Sequence, residues 1–434
     1  MSARIGIRLE DKNEWERRAP LVPAHAKALK EQGIEVCVQA SPIRAFTAQE
    51  YGQVGATVVE ELSTCPVILA IKEIPSQLLA AGKTYAFFSH TIKGQKHNMP
   101  MLRRLLDLGC NLIDYEKIVD ENGRRLVFFG NYAGLAGMLD TLWALGQRLA
   151  WEGIETPFQH LLPARLYADL DEAKAAVREV GQKIALEGLP EPITPLICGF
   201  AGYGNVSRGA QQIFDLLPYH EITPSDLITH QPIDKQTNTL YKVVFKEADM
   251  VEPINPTARF ELQDYYNHPE KYRGGFEKYI PHLIVLVNGI YWTERYPRLV
   301  TRAYLKELFG QSEPPRLRVI GDISCDTEGA IECNLHSTSP GDPVYVYDPL
   351  TGATHTGYTG RGVIVLAVDN LPAELPRESS THFSETLLPF VPEIAQADYD
   401  VPFEQSQLSP TLKRAVIVWR GELTPDYRYL EEYL

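Results

Sequence analysis

Leu196-Ile197-Cys198-Gly199-Phe200-Ala201-Gly202-Tyr203-Gly204-Asn205-Val206-Ser207-Arg208-Gly209 reads as a buried strand, a glycine turn and the start of a helix. The first five residues form a short apolar run of strand length, and a helical pattern follows over 210–216. Gly202 permits the tight turn between them. Gly204 lets the backbone come close to a pyrophosphate, and the helix amino terminus faces the negative charge. The usual third glycine is displaced: Ser207 stands in its place and Gly209 follows two residues later. Glycines alone are weak grounds for a dinucleotide site, but here strand and helix flank them in the required order. The next strand-like segment, 219–223, brings Glu221 to about the distance of an acidic ribose ligand. Thr223-Pro224-Ser225 is an alternative strand end, and Arg208 lies where it can meet a phosphate, so these residues leave NAD and NADP both open.

Working outward toward the amino terminus, short apolar strands alternate with amphipathic helices, including helical segments at 23–32 and 99–108. This alternation implies a parallel sheet with helices on its faces. Three of the apolar runs end on an ionisable residue. Val67-Ile68-Leu69-Ala70-Ile71 leads to Lys72, Tyr85-Ala86-Phe87-Phe88-Ser89 to His90, and Asn111-Leu112-Ile113-Asp114-Tyr115 to Glu116. In an open α/β sheet, ligands bind beyond the carboxyl ends of the strands. An amine, an imidazole and a carboxylate at one such edge are the parts of an acid/base site. Each is also an ordinary polar strand exit when taken alone. Nearby, Glu14-Trp15-Glu16-Arg17-Arg18-Ala19-Pro20 places two guanidiniums just ahead of a helix that starts at Pro23. Paired arginines suit bidentate carboxylate binding, the alternative being a solvated basic pair. With Lys72, His90 and Lys93 they form a set of cations whose mutual repulsion lowers their pKa values, while Glu116 acts in the opposite sense.

Composition narrows the classes. The chain has 434 residues, 44% hydrophobic and 23% charged, as in an ordinary globular protein, and length alone suggests two to three domains. A formal charge of −14 argues against nucleic acid or an anionic membrane as the main partner, but not against small anionic substrates. The six cysteines are scattered, without a C-x-x-C pair, and several lie in apolar runs, so they read as small core residues of a reducing compartment. No metal site is expected. The first strand begins almost at Met1, leaving no space for a leader, and the most apolar stretch, 133–151, carries Asp140 and Arg148. These features predict a soluble cytoplasmic protein.

The expected fold class is α/β, with two Rossmann-like domains whose parallel sheets flank a cleft. Residues 1–155 form a substrate-binding domain, completed by 371–434. Residues 156–194 are a connector or insertion with a polar helix at 169–187, and 195–370 form the dinucleotide-binding domain. Strands are expected at 283–287, 318–323 and 363–368, with an irregular, partly helical segment at 252–275 and a helix at 379–388.

Several blocks carry a resemblance that covers nearly the whole chain in order. They are Trp15-Glu16-Arg17-Arg18-Ala19-Pro20-Leu21, Lys83 to Lys93, Leu112-Ile113-Asp114-Tyr115-Glu116-Lys117 and Gly123-Arg124-Arg125. Further on come Gly202-Tyr203-Gly204-Asn205-Val206-Ser207, Asn288-Gly289-Ile290-Tyr291-Trp292, Asp322-Ile323-Ser324 and Asp369-Asn370-Leu371-Pro372. The chain resembles the lysine–ketoglutarate reductase part of the saccharopine-forming enzymes, and more distantly the fungal L-lysine-forming saccharopine dehydrogenases. That family shares its fold with alanine dehydrogenase and the nucleotide-binding subunit of transhydrogenase. Cys325 departs from it, standing where a small residue is usual.

The resemblance implies an oxidoreductase that condenses L-lysine with 2-oxoglutarate and reduces the imine to saccharopine, or runs the reverse. It implies Lys72, His90 and Glu116 as catalytic residues and Arg17, Arg18, Lys93 and Arg125 as ligands of the substrate carboxylates, Arg18 foremost. Gly202, Gly204, Asn205, Val206, Ser207, Glu221, Asp322, Asp369 and Leu371 are the implied cofactor contacts. The reductase branch favours NADP, with NAD possible. The expected partners are the small molecules lysine, 2-oxoglutarate and saccharopine. Two alternatives stand beside this: an alanine-dehydrogenase-like or other opine-type enzyme, and a catalytically silent homologue that keeps the fold for binding or regulation.

Overall fold

The computed structural model describes residues 3–229 and 236–434, and the chain divides into two compact units. One comprises Met1–Phe129 with Pro376–Leu434, the other Gly130–Leu375. Each is a Rossmann-like α/β unit built on an eight-stranded sheet.

In the first unit, six strands run parallel in the order Asn111–Asp114, Thr84–Phe87, Val67–Leu69, Arg4–Ile7, Glu35–Gln39 and Thr57–Val59. The three central strands, Thr84–Phe87, Val67–Leu69 and Arg4–Ile7, are almost wholly buried, as expected of strands covered on both faces. Helices Pro23–Glu31 and Met99–Asp107 follow the expected segments closely, and each starts with a proline in its first turn. The carboxyl-terminal segment adds helix Pro376–Leu387 and two further strands, Val416–Trp419 and Glu422–Leu423. Those strands are antiparallel, so the sheet is mixed rather than purely parallel. The cause is local: Arg420 and Gly421 both take positive φ, forming a two-residue hairpin loop, and strands joined this way cannot be parallel.

In the second unit the strand order is Thr354–Thr356, Val344–Tyr347, Val363–Leu366, Val319–Asp322, Val285–Asn288, Ile197–Ala201, Leu240–Phe245 and Tyr219–Glu221. The six from Val363–Leu366 to Tyr219–Glu221 are parallel, and the hairpin Val344–Tyr347/Thr354–Thr356 closes one edge in the antiparallel sense. Strand Leu240–Phe245 lies between Ile197–Ala201 and Tyr219–Glu221, so Glu221 sits on an edge strand, one place removed from the glycine-loop strand. The segment expected to be irregular holds a small antiparallel pair, Val251–Pro253 with Tyr272–Gly274, and the short helix Leu262–Asn267.

A 22-residue helix, Gly130–Trp151, runs against the helix that follows the glycine loop, Asn205–Phe214. Their backbones meet at glycines. A Cβ on Gly134 would collide with Val206 O and Ala210 N, and one on Gly209 with Asn131 O. Gly209 therefore supplies the close packing expected of the third glycine of the turn. Ser207, at the usual third position, is accommodated because its backbone faces Gly289, whose absent side chain leaves the space. The two charged residues of the long helix are buried and bonded. Asp140 accepts from Ala164 N at 2.7 Å, and Arg148 donates to the carbonyls of Tyr358, Gly360 and Gly362. Among the described residues, no helix is long and apolar enough to cross a membrane.

Candidate active site

The parallel register of the first unit brings three strand exits to one edge. Leu69 pairs with Ala86, Ala86 with Ile113, and Phe87 with Asp114, so Lys72, His90 and Glu116 follow three adjacent strands on the same side of the sheet. The fourth neighbour, Arg4–Ile7, runs on to Glu10. The buried Glu10 carboxylate accepts from the backbone N–H groups of Ile71 at 2.6 Å and Lys72 at 3.1 Å. It thereby fixes the backbone from which the Lys72 side chain leaves. Burial, reinforced by Glu16, pushes the Glu10 carboxyl up to about 7.

Lys72 is half-buried, and among the described residues its ammonium has neither a hydrogen bond nor an ion pair. Its pKa is lowered, first by burial and then by repulsion from Arg18 and Lys12, with Glu16 and Glu73 pulling the other way. Arg18 itself is deeply buried, 3% exposed, and donates Nε and Nη2 to the two oxygens of Glu16 at 2.7 and 2.6 Å. Its guanidinium lies 4.2 Å from the Phe129 ring centroid. Two of its donors are thus engaged within the protein, whereas Arg17, Lys93 and Arg125 are exposed. Arg17 Nε bonds the Ile43 carbonyl at 3.1 Å, and Arg125 pairs with Glu116.

His90 adopts φ +48, in the left-handed region that histidine enters more readily than most residues. Its Nδ1 lies 2.5 Å from Glu73 Oε1, and Lys12 Nζ lies 3.2 Å from the other oxygen of Glu73. Burial opposes ionisation of Glu73, but His90 and Lys12 outweigh it and hold its carboxyl well below the usual range. The imidazole ring also stacks near Phe88, with centroids 6.4 Å apart. Bonded at Nδ1, His90 keeps Nε2 as the ring nitrogen for proton exchange. Asp114 closes the group: it is fully buried, receives the Ser89 hydroxyl, and accepts from Glu116 N at 2.8 Å. Burial raises its carboxyl to about 6.

Glu10, Glu73 and Asp114 are not among the residues singled out from sequence. A signal for each exists. Glu10 ends the first strand as Lys72 ends another, Glu73 directly follows Lys72, and Asp114 is the charged member of an otherwise uncharged run.

In the second unit, Gly202 has φ +91, and a Cβ there would stand 2.9 Å from Ile290 Cγ2. Gly204 caps helix Asn205–Phe214, and nothing lies within 4 Å of where its Cβ would be. That open space before a helix amino terminus is the cradle a pyrophosphate requires, so these residues fit a dinucleotide. Asn205 is exposed, Val206 is partly buried, and Ser207 is buried with its hydroxyl accepting from Gln211 at 3.0 Å. Asp322 is buried between the amides of Asn288 and Asn334, at 2.8 and 2.7 Å, and burial raises it to about 6. Asp369 is exposed, whereas the Leu371 side chain packs in the core beneath Gly137. Glu221 is exposed, 3.9 Å from Lys242 Nζ, which bonds Asp215 at 2.8 Å.

A cavity of about 380 Å³ opens beside the glycine loop, lined by Gly202, Gly204, Glu247, Gly289 and Ile290 together with tyrosines and Trp292.

The family model "Alanine dehydrogenase/PNT, N-terminal domain" matches residues 6–136, and "Alanine dehydrogenase/PNT, C-terminal domain" matches residues 255–426. An alpha-aminoadipic semialdehyde synthase of Arabidopsis thaliana is 41% identical over 98% of this chain and 41% of its own length. The mitochondrial alpha-aminoadipic semialdehyde synthase of Rattus norvegicus is 38% identical over 99% of this chain and 47% of its own. The chain therefore spans less than half the length of these relatives. A saccharopine dehydrogenase (NAD(+), L-lysine-forming) of Emericella nidulans is 28% identical over 89% of this chain and 91% of its own. Among solved structures, an L-alanine dehydrogenase covers 99% of this chain and 100% of its own, with a TM-score of 0.60 at 18% identity, a likeness of fold.

Proposed function

The chain belongs to the alanine dehydrogenase/PNT family, on the branch of the alpha-aminoadipic semialdehyde synthases and L-lysine-forming saccharopine dehydrogenases, and from that premise we propose that it interconverts saccharopine with L-lysine and 2-oxoglutarate. The observation that carries the proposal is the edge of the first unit. There an amine with a lowered pKa and an imidazole oriented by a carboxylate follow adjacent strands, and Arg125 pairs with Glu116 at the end of the third.

In the condensing direction, the ε-amine of lysine attacks the keto carbon of 2-oxoglutarate, water leaves, and the resulting imine is reduced. A bound nicotinamide supplies the hydride. The protein's own residues handle protons and charge. Lys72, disfavoured as an ammonium by its surroundings, serves as the base that takes a proton from the substrate ammonium. His90, fixed at Nδ1 by Glu73, exchanges a proton through Nε2 with the carbinolamine oxygen as it leaves. Glu116, tied to Arg125, holds or tunes the amine end. Saccharopine carries three carboxylates, and Arg17, Lys93 and Arg125 offer exposed cations for them. Arg18, held by Glu16, joins them as a proposed carboxylate ligand, and its further role is to set the field that disfavours charge on Lys72. The six free cysteines support a reducing compartment; the setting we propose is cytoplasmic, and the partners are these small molecules.

Steady-state assays test the proposal. Oxidation of the reduced cofactor should require lysine and 2-oxoglutarate together. Equal turnover with pyruvate and ammonia would replace it with an alanine-dehydrogenase-like activity, and no turnover with any pair would favour a silent homologue.

A further inference from the structure

We propose that Glu247 sets cofactor choice in this chain, accepting the 2′-hydroxyl of the adenosine ribose and so selecting NAD(H) over NADP(H). The assignment rests on the oxidoreductase reading above and deepens it.

The acidic ligand of a bound ribose belongs at the end of the strand next to the glycine-loop strand. By sequence distance alone that residue is Glu221. In the sheet, however, the neighbour of Ile197–Ala201 is Leu240–Phe245, with Phe200 opposite Val244 and Ala201 opposite Phe245. Gly202 N donates to the Phe245 carbonyl at 3.0 Å, which ties the glycine turn directly to the end of that strand. Glu247 lies two residues beyond Phe245 and lines the same cavity as Gly202 and Gly204; Glu221, on the edge strand, does not.

The carboxylate is held in place. Tyr266 donates its hydroxyl to Glu247 Oε1 at 2.6 Å, and Tyr203 donates to Oε2 at 3.2 Å. With each oxygen already receiving one hydroxyl, lone pairs remain for a further donor, and a ribose diol provides two. Among the described residues, Glu247 is also the only carboxylate or cation in the cavity lining. A 2′-phosphate would meet this negative charge with no lysine or arginine among the described lining residues to offset it. Lys246, Arg295 and Arg298, the cations nearest the lining in sequence, are exposed and lie outside it; Arg295 donates to the Tyr266 carbonyl at 2.7 Å, and Arg298 to the carbonyls of Glu328 and Gly329 at 3.0 and 3.2 Å. The pocket thus favours the cofactor opposite to the one the reductase resemblance suggests.

The test is direct binding, read by nicotinamide fluorescence without turnover. The intact chain and its Glu247→Gln, Glu247→Ser and Glu221→Gln variants are titrated with NADH and NADPH, with far-UV circular dichroism confirming the fold of each. The intact chain should bind NADH roughly a hundredfold more tightly than NADPH, the scale of juxtaposing like charges. Either Glu247 variant should narrow that ratio to within about tenfold, while Glu221→Gln leaves it in place. Equal or tighter binding of NADPH by the intact chain overturns the assignment while the oxidoreductase reading stands. So does a ratio that collapses in Glu221→Gln but not in the Glu247 variants. Binding of neither dinucleotide overturns that reading and the assignment with it.

Discussion

Replacing Lys72 with methionine separates chemistry from stability, because the same half-buried amine is proposed to serve one at the expense of the other. The Lys72 ammonium has no hydrogen-bonding partner among the described residues, and Arg18 and Lys12 repel it. The carboxylates that attract it are already engaged, Glu16 by Arg18 and Glu73 by His90 and Lys12. Methionine keeps most of the apolar stem and removes the charge. Relief of a half-buried, unpartnered charge should stabilise the first unit by about 1–2 kcal/mol. Turnover should fall by roughly 10²–10⁴, the contribution of one positioned base, equivalent to about 2.7–5.4 kcal/mol of barrier.

The pH dependence has a definite sign. Lys72 has a lowered pKa in the fold, so between that value and the ordinary 10.5 the unfolded chain binds one more proton than the native one. Stability of the parent therefore rises with pH across that window, and the advantage of Lys72→Met is full below it and shrinks as pH approaches 10.5. Urea unfolding of both proteins at several pH values between 7 and 10, beside steady-state turnover at each, measures the two effects. If Lys72→Met is less stable than the parent at pH 7, or its advantage grows with pH, the account of the amine as an uncompensated charge is refuted.

Further substitutions probe the frame that holds each site. Gly134→Ala places a methyl against Val206 O and Ala210 N, and should cost about 1–3 kcal/mol through overpacking and weaken dinucleotide binding by displacing helix Asn205–Phe214. Gly52→Ala, in helix Ala48–Gln53 with nothing within 4 Å, should instead gain about 0.5–1 kcal/mol; equal urea midpoints for the two variants would contradict the packing argument. Glu16→Ala leaves the buried Arg18 without its bidentate partner and should cost about 3–5 kcal/mol, whereas Glu16→Met with Arg18→Leu should recover most of that loss in the same unfolding assay.

The architecture was largely legible because buried parallel strands announce themselves as short apolar runs, and 67–71, 85–88 and 111–113 are such runs. Their ends fall on one side because parallel pairing leaves them no other arrangement. The glycine turn was equally readable, since its φ and close approaches demand particular residues. Neighbour relations in the sheet were not legible. Leu240-Tyr241-Lys242-Val243-Val244-Phe245 is a strand in which Lys242 reaches out to Asp215, and this charge masks the apolar run. Missing it leaves Glu221 in the place that Leu240–Phe245 brings Glu247 to. The edge hairpin at Arg420-Gly421 was masked in a similar way, because arginine rarely takes the positive φ seen there. Within the first unit, Lys72, His90 and Glu116 stood out as strand exits. Glu10 and Glu73 adjoin strand ends in sequence, but the tertiary hydrogen bonds through which they act appear only in the fold.

The most direct measurement follows the hydride itself. The chain is incubated with L-lysine, 2-oxoglutarate and reduced cofactor bearing deuterium at the transferred position, and the products are weighed by mass spectrometry. Saccharopine carrying one deuterium, formed only when both co-substrates are present, is the predicted result. Deuterium in alanine made from pyruvate and ammonia, or cofactor oxidation that proceeds without lysine, would contradict it.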